Sequence, residues 1–286
     1  MYLYQGIFAK KQKGMDTLTN NRPDPWLRWI NLLAYLLILA INYLANSLPL
    51  GGQTTGEVAR QYDNLLLPSG YVFSIWGVIY IGLGVFVLWQ LGKGEAQQRL
   101  RQAVSWFFPV SALFNVGWLW AWHTSGPSLS LAFMLLYLVS VFLIYIRLQL
   151  RCEGSRKCAL IVKLPFSILL AWLSFALIAN LTAFLVSIGY TGGAWGEKAW
   201  AGLILALSFL LALAFLWRKK DAAAALTFVW AWSGLIVRHY GDTVLQGLNL
   251  LLYFISGLSI LAALYVLLKP GLRRGKFSAS ASTSAK

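Results

Sequence analysis

Phe73, Trp76 and Tyr80 recur at i, i+3 and i+7, the spacing of one helix face. Asn115, Trp118 and Trp122 repeat that spacing, and Trp172, Ala176 and Asn180 follow at i, i+4 and i+8. Each triplet sits inside a long apolar stretch. Three helices would thus present aromatic surface at overlapping depth, two of them with an amide. One reading is an aromatic-walled cavity with a few polar handles, suited to a flat apolar ligand held without covalent chemistry. The other is ordinary aromatic packing, with Asn115 and Asn180 hydrogen-bonded between helices. Both readings fit the spacing.

The wider composition frames that choice. The chain carries 14 tryptophans. Trp26, Trp29, Trp89, Trp106, Trp195, Trp200 and Trp217 fall at the edges of apolar stretches, where an interfacial aromatic belt is expected. Trp76, Trp118, Trp172, Trp230 and Trp232 lie deeper. No Ser/His/Asp order, HExxH or phosphate-binding loop is present, so no enzymatic activity is expected. His123 and His239 each stand alone and read as polar caps at helix ends, and no metal site is expected. Cys152 and Cys158 share one basic loop. Two thiols make no metal site, and on a cytosolic face they are expected to stay reduced.

The elements that must position these residues are membrane spans. The chain of 286 residues is 59% hydrophobic and only 12% charged, about half the charge of a soluble domain. Its apolar residues fall in blocks of about 20, the length that crosses hydrocarbon as a helix. The expected fold is all-α, a polytopic transmembrane bundle with eight spans at 28–49, 69–91, 104–124, 127–147, 162–189, 198–217, 222–238 and 246–268. Gly126-Pro127 supplies the turn between the third and fourth. No ionisable group lies more than about one turn from a span edge, which weighs against proton-coupled transport.

Charge sets the orientation. The net charge is +15, yet 21 of the 24 Lys and Arg residues fall in the N-terminal segment, alternate connections and the tail. Only Arg60, Lys198 and Arg238 fall on the other side. That alternation predicts eight spans with both termini cytoplasmic, and it explains the basic charge without nucleic acid. The longest outer connection, Gly51–Pro68, carries Val58, Tyr62, Leu65 and Leu66 on one side and reads as a short surface helix capping the bundle, with Thr55 near its start. Residues 1–27 read as a cytoplasmic segment and 270–286 as a disordered tail.

At the aromatic triplets the sequence resembles the TspO family, the tryptophan-rich sensory proteins related to the mitochondrial translocator protein. PSGYVFSIWGVIY (Pro68–Tyr80) resembles the family's second-helix opening, and FNVGWLWAW (Phe114–Trp122) its third-helix N-x-x-W motif. LPFSILLAWLSFALIANL (Leu164–Leu181) resembles its fifth-helix W-x-x-x-A-x-x-x-N signature. The likeness covers a five-helix region at 28–190, with three additional helices at 191–269. It implies a pocket near the first loop that binds a porphyrin or another planar hydrophobic molecule. Phe73, Trp76, Tyr80, Asn115, Trp118, Trp172, Ala176 and Asn180 would line it. The family's W/P-rich first loop is absent, with Tyr71 standing near its place. The expected role is a sensor or binding protein in the bacterial plasma membrane, as monomer or homodimer in the lipid bilayer. A facilitator of a neutral or apolar solute and an accessory subunit of a membrane complex are the alternatives.

Overall fold

The computed structural model describes residues 26–47, 50–152, 156–190, 192–241 and 246–268. The expected 1–27 segment lies almost wholly outside these residues, and the expected 270–286 tail entirely so. Ten helices carry the fold, and no strand occurs among the described residues. They are α1 (Leu27–Ser47), α2 (Thr55–Gln61), α3 (Ile75–Gln90), α4 (Glu95–Val104) and α5 (Phe107–Thr124). Then come α6 (Pro127–Arg151), α7 (Leu164–Ser187), α8 (Gly196–Lys219), α9 (Ala222–Arg238) and α10 (Gln246–Leu268). Each of the eight expected spans has its helix. Six segments are long and apolar enough to cross a membrane; α5 joins them when counted with α4, and α9 is shorter.

The structure departs from expectation at the start of the third span and at the cysteines. The third span begins at Phe107, because the chain breaks at Ser105 and α4 lies at 47° to α5. Arg101 explains the break. This buried guanidinium donates to the carbonyls of Gln90 and Gly92, which ties α4 back to the end of α3. The second departure is at the cysteines. Expected as free thiols, Cys152 and Cys158 are joined in a disulfide, since the reversal between α6 and α7 brings their Cα atoms to 5.4 Å.

The bundle is assembled by small-residue contacts and interhelical hydrogen bonds, as hydrocarbon-embedded helices require. On α1 the buried positions Leu27, Asn31, Ala34, Ile38, Asn42 and Ala45 form one stripe. That stripe turns toward α3 and α5. The Tyr35 hydroxyl passes close over Gly84 and donates to the carbonyl of Tyr80 at 2.9 Å. Helices α6 and α7 pack closely, and Tyr137 of α6 and Phe166 and Trp172 of α7 are fully buried. Helix α9 packs against α7, α8 and α10, and so joins the last three helices to the first five. At its N-cap, Asp221 accepts from its own Ala224 N–H at 3.2 Å and from the buried Tyr145 hydroxyl of α6 at 2.7 Å.

The first loop is ordered by local chemistry. Thr54, and not the expected Thr55, caps α2: its hydroxyl accepts from the Glu57 N–H while the Glu57 carboxylate accepts from the Thr54 N–H at 2.7 Å. These Thr54 hydrogen bonds, that to its backbone N–H first, hold the Glu57 carboxyl below its usual range. Thr55 turns inward instead. Its hydroxyl meets His123 Nε2 at 3.2 Å, and its carbonyl accepts from the Trp122 indole N–H at 3.2 Å.

Candidate functional site

Beneath this loop lies a cleft of about 620 Å³, counting space open to solvent. Its walls come from three helices and its roof from the loop. Helix α7 contributes one complete face: Trp172, Phe175, Ala176, Ala179, Asn180 and Ala183. The three alanines keep that face low, which leaves the space. Helix α5 contributes Trp118 and Trp122, and the α3 side contributes Phe73 and Trp76. Thr55, Ala59, Tyr62 and the segment Asn64–Pro68 close it from above, Leu65 excepted.

Six of the eight residues singled out by resemblance therefore meet in one cleft: Phe73, Trp76, Trp118, Trp172, Ala176 and Asn180. Their rings are mutually in contact. Trp76 is 6.0 Å from Trp118 and 6.1 Å from Trp172, the latter edge-on at 89°. Phe73 also meets Trp172 edge-on, at 6.1 Å. Such edge-to-face and tilted pairs are favoured by the ring quadrupoles. A flat ligand would enter by parting them.

Tyr80 and Asn115 are not in the lining. Tyr80 lies one turn below the cleft, with its ring stacked on Trp76 at 5.6 Å. Asn115 faces α1 instead, where its Oδ1 accepts from Asn42 Nδ2 at 3.0 Å, and it is fully buried there. The cause is the α1 stripe: Asn42 needs a partner in hydrocarbon, and α5 offers its amide. Asn180 does reach the cleft, but its Oδ1 is already engaged. It accepts from the Trp118 indole N–H at 3.2 Å and from Ser130 Oγ at 2.7 Å, clasping α5, α6 and α7. The two asparagines thus do not pair with each other.

Two polar features are left for a ligand to use. The Trp172 indole N–H is buried and has no hydrogen-bond partner in the protein. Asn180 Nδ2 donates to the Ala176 carbonyl at 3.0 Å, one bond for its two N–H groups. The rest of the lining is mostly apolar, and no group of three or more His, Cys, Asp or Glu residues that could hold a metal occurs among the described residues. The arrangement can bind an apolar, planar body and supplies no acid–base pair or nucleophile within the lining.

The loop residues were read from the sequence only as a cap, and Phe175, Ala179 and Ala183 of the α7 face were not among the expected site residues. The α7 positions had a signal, since 172, 175, 176, 179, 180 and 183 continue the same face. The loop had a weaker one. Of its expected stripe, Val58 is buried and Tyr62 and Leu66 line the cleft, while Leu65 faces away.

A family model described as TSPO-like protein matches residues 28–268. The match runs through α8, α9 and α10 as well as the first five spans. No curated protein and no solved structure matches the chain.

Proposed function

The chain belongs to the TSPO-like family, and on that premise we propose that its cleft binds a planar hydrophobic small molecule, such as a tetrapyrrole. The role is binding and sensing, without enzymatic turnover, in a bacterial plasma membrane with both termini cytoplasmic. What supports the reading is the convergence of Phe73, Trp76, Trp118 and Trp172 on one cleft roofed by an ordered loop. Aromatic packing alone does not require the alanine-lined space beside those rings.

The test is saturable quenching of tryptophan emission by protoporphyrin IX in the purified, reconstituted protein. Trp172→Ala should weaken binding by about 1–3 kcal/mol, the scale for one buried aromatic anchor. Trp217→Ala, exposed at the far end of α8, should change it little. Equal losses in the two variants would leave ordinary packing as the account of these rings. Flux of the same probe across proteoliposomes would favour a facilitator, and co-purifying subunits would favour an accessory role.

A further inference from the structure

The loop that roofs the cleft has two faces. Tyr62, Asn64, Leu66, Leu67 and Pro68 point into the cleft. The alternate groups are held from outside by α8 and α9. Asp63 pairs with Arg238. The Leu65 N–H donates to Glu197 Oε1 at 3.3 Å, and the Leu65 carbonyl meets His239 Nε2 at 2.9 Å. The Ser69 N–H donates to the Gly234 carbonyl at 3.0 Å. The Tyr71 hydroxyl meets Ser233 Oγ at 2.6 Å, and the Trp230 indole N–H donates to the Val72 carbonyl at 2.9 Å.

These contacts run along one line. Trp230, Ser233, Gly234 and Arg238 occupy one face of α9, ending in the His239 C-cap. Close approach depends on Gly234, where a Cβ would collide with Val72 and press on Pro68. The fold is braced behind as well, since Asn249 of α10 donates to the His239 carbonyl at 2.8 Å. The loop's own backbone offers little regular structure between Gln61 and Gly70, so its N–H and C=O groups depend on such partners.

We propose that α8 and α9 act as a latch on residues 63–72, holding the roof of the cleft closed and setting how fast molecules pass in and out. The inference rests on the cleft being the ligand site, but the latch itself is testable without a ligand. Ala179→Cys places a thiol in the cleft lining, in a chain with Cys152→Ser and Cys158→Ser. Its rate of reaction with a small water-soluble maleimide reports opening of the roof. Adding Trp230→Phe with Arg238→Gln removes one indole donor and one ion pair while keeping the ring and the helix. Labelling should then accelerate by about tenfold, the scale for one or two net hydrogen bonds. In the chain with its cysteines intact, the same pair of substitutions should speed hydrogen exchange at the Leu65 and Ser69 amides, with thermal unfolding little changed.

Unchanged exchange at those amides, or faster exchange with an unchanged labelling rate, would overturn the latch. A charge-swapped pair, Asp63→Arg with Arg238→Asp, should label more slowly than either single change, and failure of that rescue also counts against it. If the unaltered protein shows no saturable quenching by protoporphyrin IX, the ligand reading fails, while the labelling rates still decide the latch.

Discussion

Asn115 and Asn180 stand at similar depth on α5 and α7 and carry the same amide, yet their surroundings give them different work. Asn115 makes one side-chain bond across a helix interface, to Asn42. Interhelical hydrogen bonds in membranes average about 0.6 kcal/mol, so Asn115→Leu should lower stability slightly and leave probe affinity unchanged. Asn180→Leu strips the acceptor from two buried donors, Trp118 Nε1 and Ser130 Oγ. Each orphaned donor costs roughly 1–3 kcal/mol, so this variant should melt markedly earlier. Thermal unfolding beside fluorescence titration separates the two. The amides were visible in the sequence as polar residues at helical spacing from tryptophans. Their partners were not, because Asn42 and Ser130 lie on other helices and carry no motif. Trp172→Phe is the sharper probe of recognition: it keeps an aromatic ring and removes the unpartnered N–H. If a bound ligand accepts from that N–H, affinity should fall by about 1 kcal/mol. An unaltered affinity would mean the ligand is held by ring contacts alone.

At the scale of elements, the long apolar blocks announced their helices directly, and the aromatic triplets met in the cleft except at Tyr80 and Asn115. The short pieces were harder. Adjacent threonines at 54 and 55 both suit a helix start, and only the reciprocal bonds with Glu57 decide for Thr54. Thr54→Ala should cost α2 about 1 kcal/mol and raise proteolytic cleavage in the first loop. Thr54→Asp should restore the cap. The start of α5 was placed three residues early, at Val104, because the break at Ser105 and the destination of the Arg101 side chain are tertiary facts. Least legible of all was the contact of the first loop with α9. Several of its bonds involve backbone groups, such as Ser69 N–H to the Gly234 carbonyl, and a backbone group leaves no residue-type signature.

For the molecule as a whole, the alternation of basic residues is the broadest signal in the chain, and it predicts sidedness. The disulfide between Cys152 and Cys158 makes the native cysteines unsuitable reporters. With both changed to Ser, Ser125→Cys at the exposed α5–α6 turn should react with an impermeant maleimide on intact cells. Ala96→Cys, exposed on α4, should react only after lysis. Reaction of both, or the reverse pattern, would overturn the cytoplasmic placement of the termini.

Helix α9 is also fastened at both ends. Asp221 ties its start to Tyr145 on α6, and Arg238 ties its finish to Asp63 in the first loop. Seventeen residues at about 1.5 Å each make a strut of roughly 26 Å, nearly the thickness of the hydrocarbon. A strut pinned at each end is a load path. Force applied at one membrane surface, by prising up the roof, is passed along the helix toward the hydrogen bond between a phenol and a carboxylate at the other. Tyr145→Phe and Arg238→Gln, though far apart, should therefore not act independently. Their combined effect on unfolding should differ from the sum of the two by more than the roughly 0.3–0.5 kcal/mol within which distant sites usually add. Simple additivity would mean the two surfaces of this protein do not feel each other through α9.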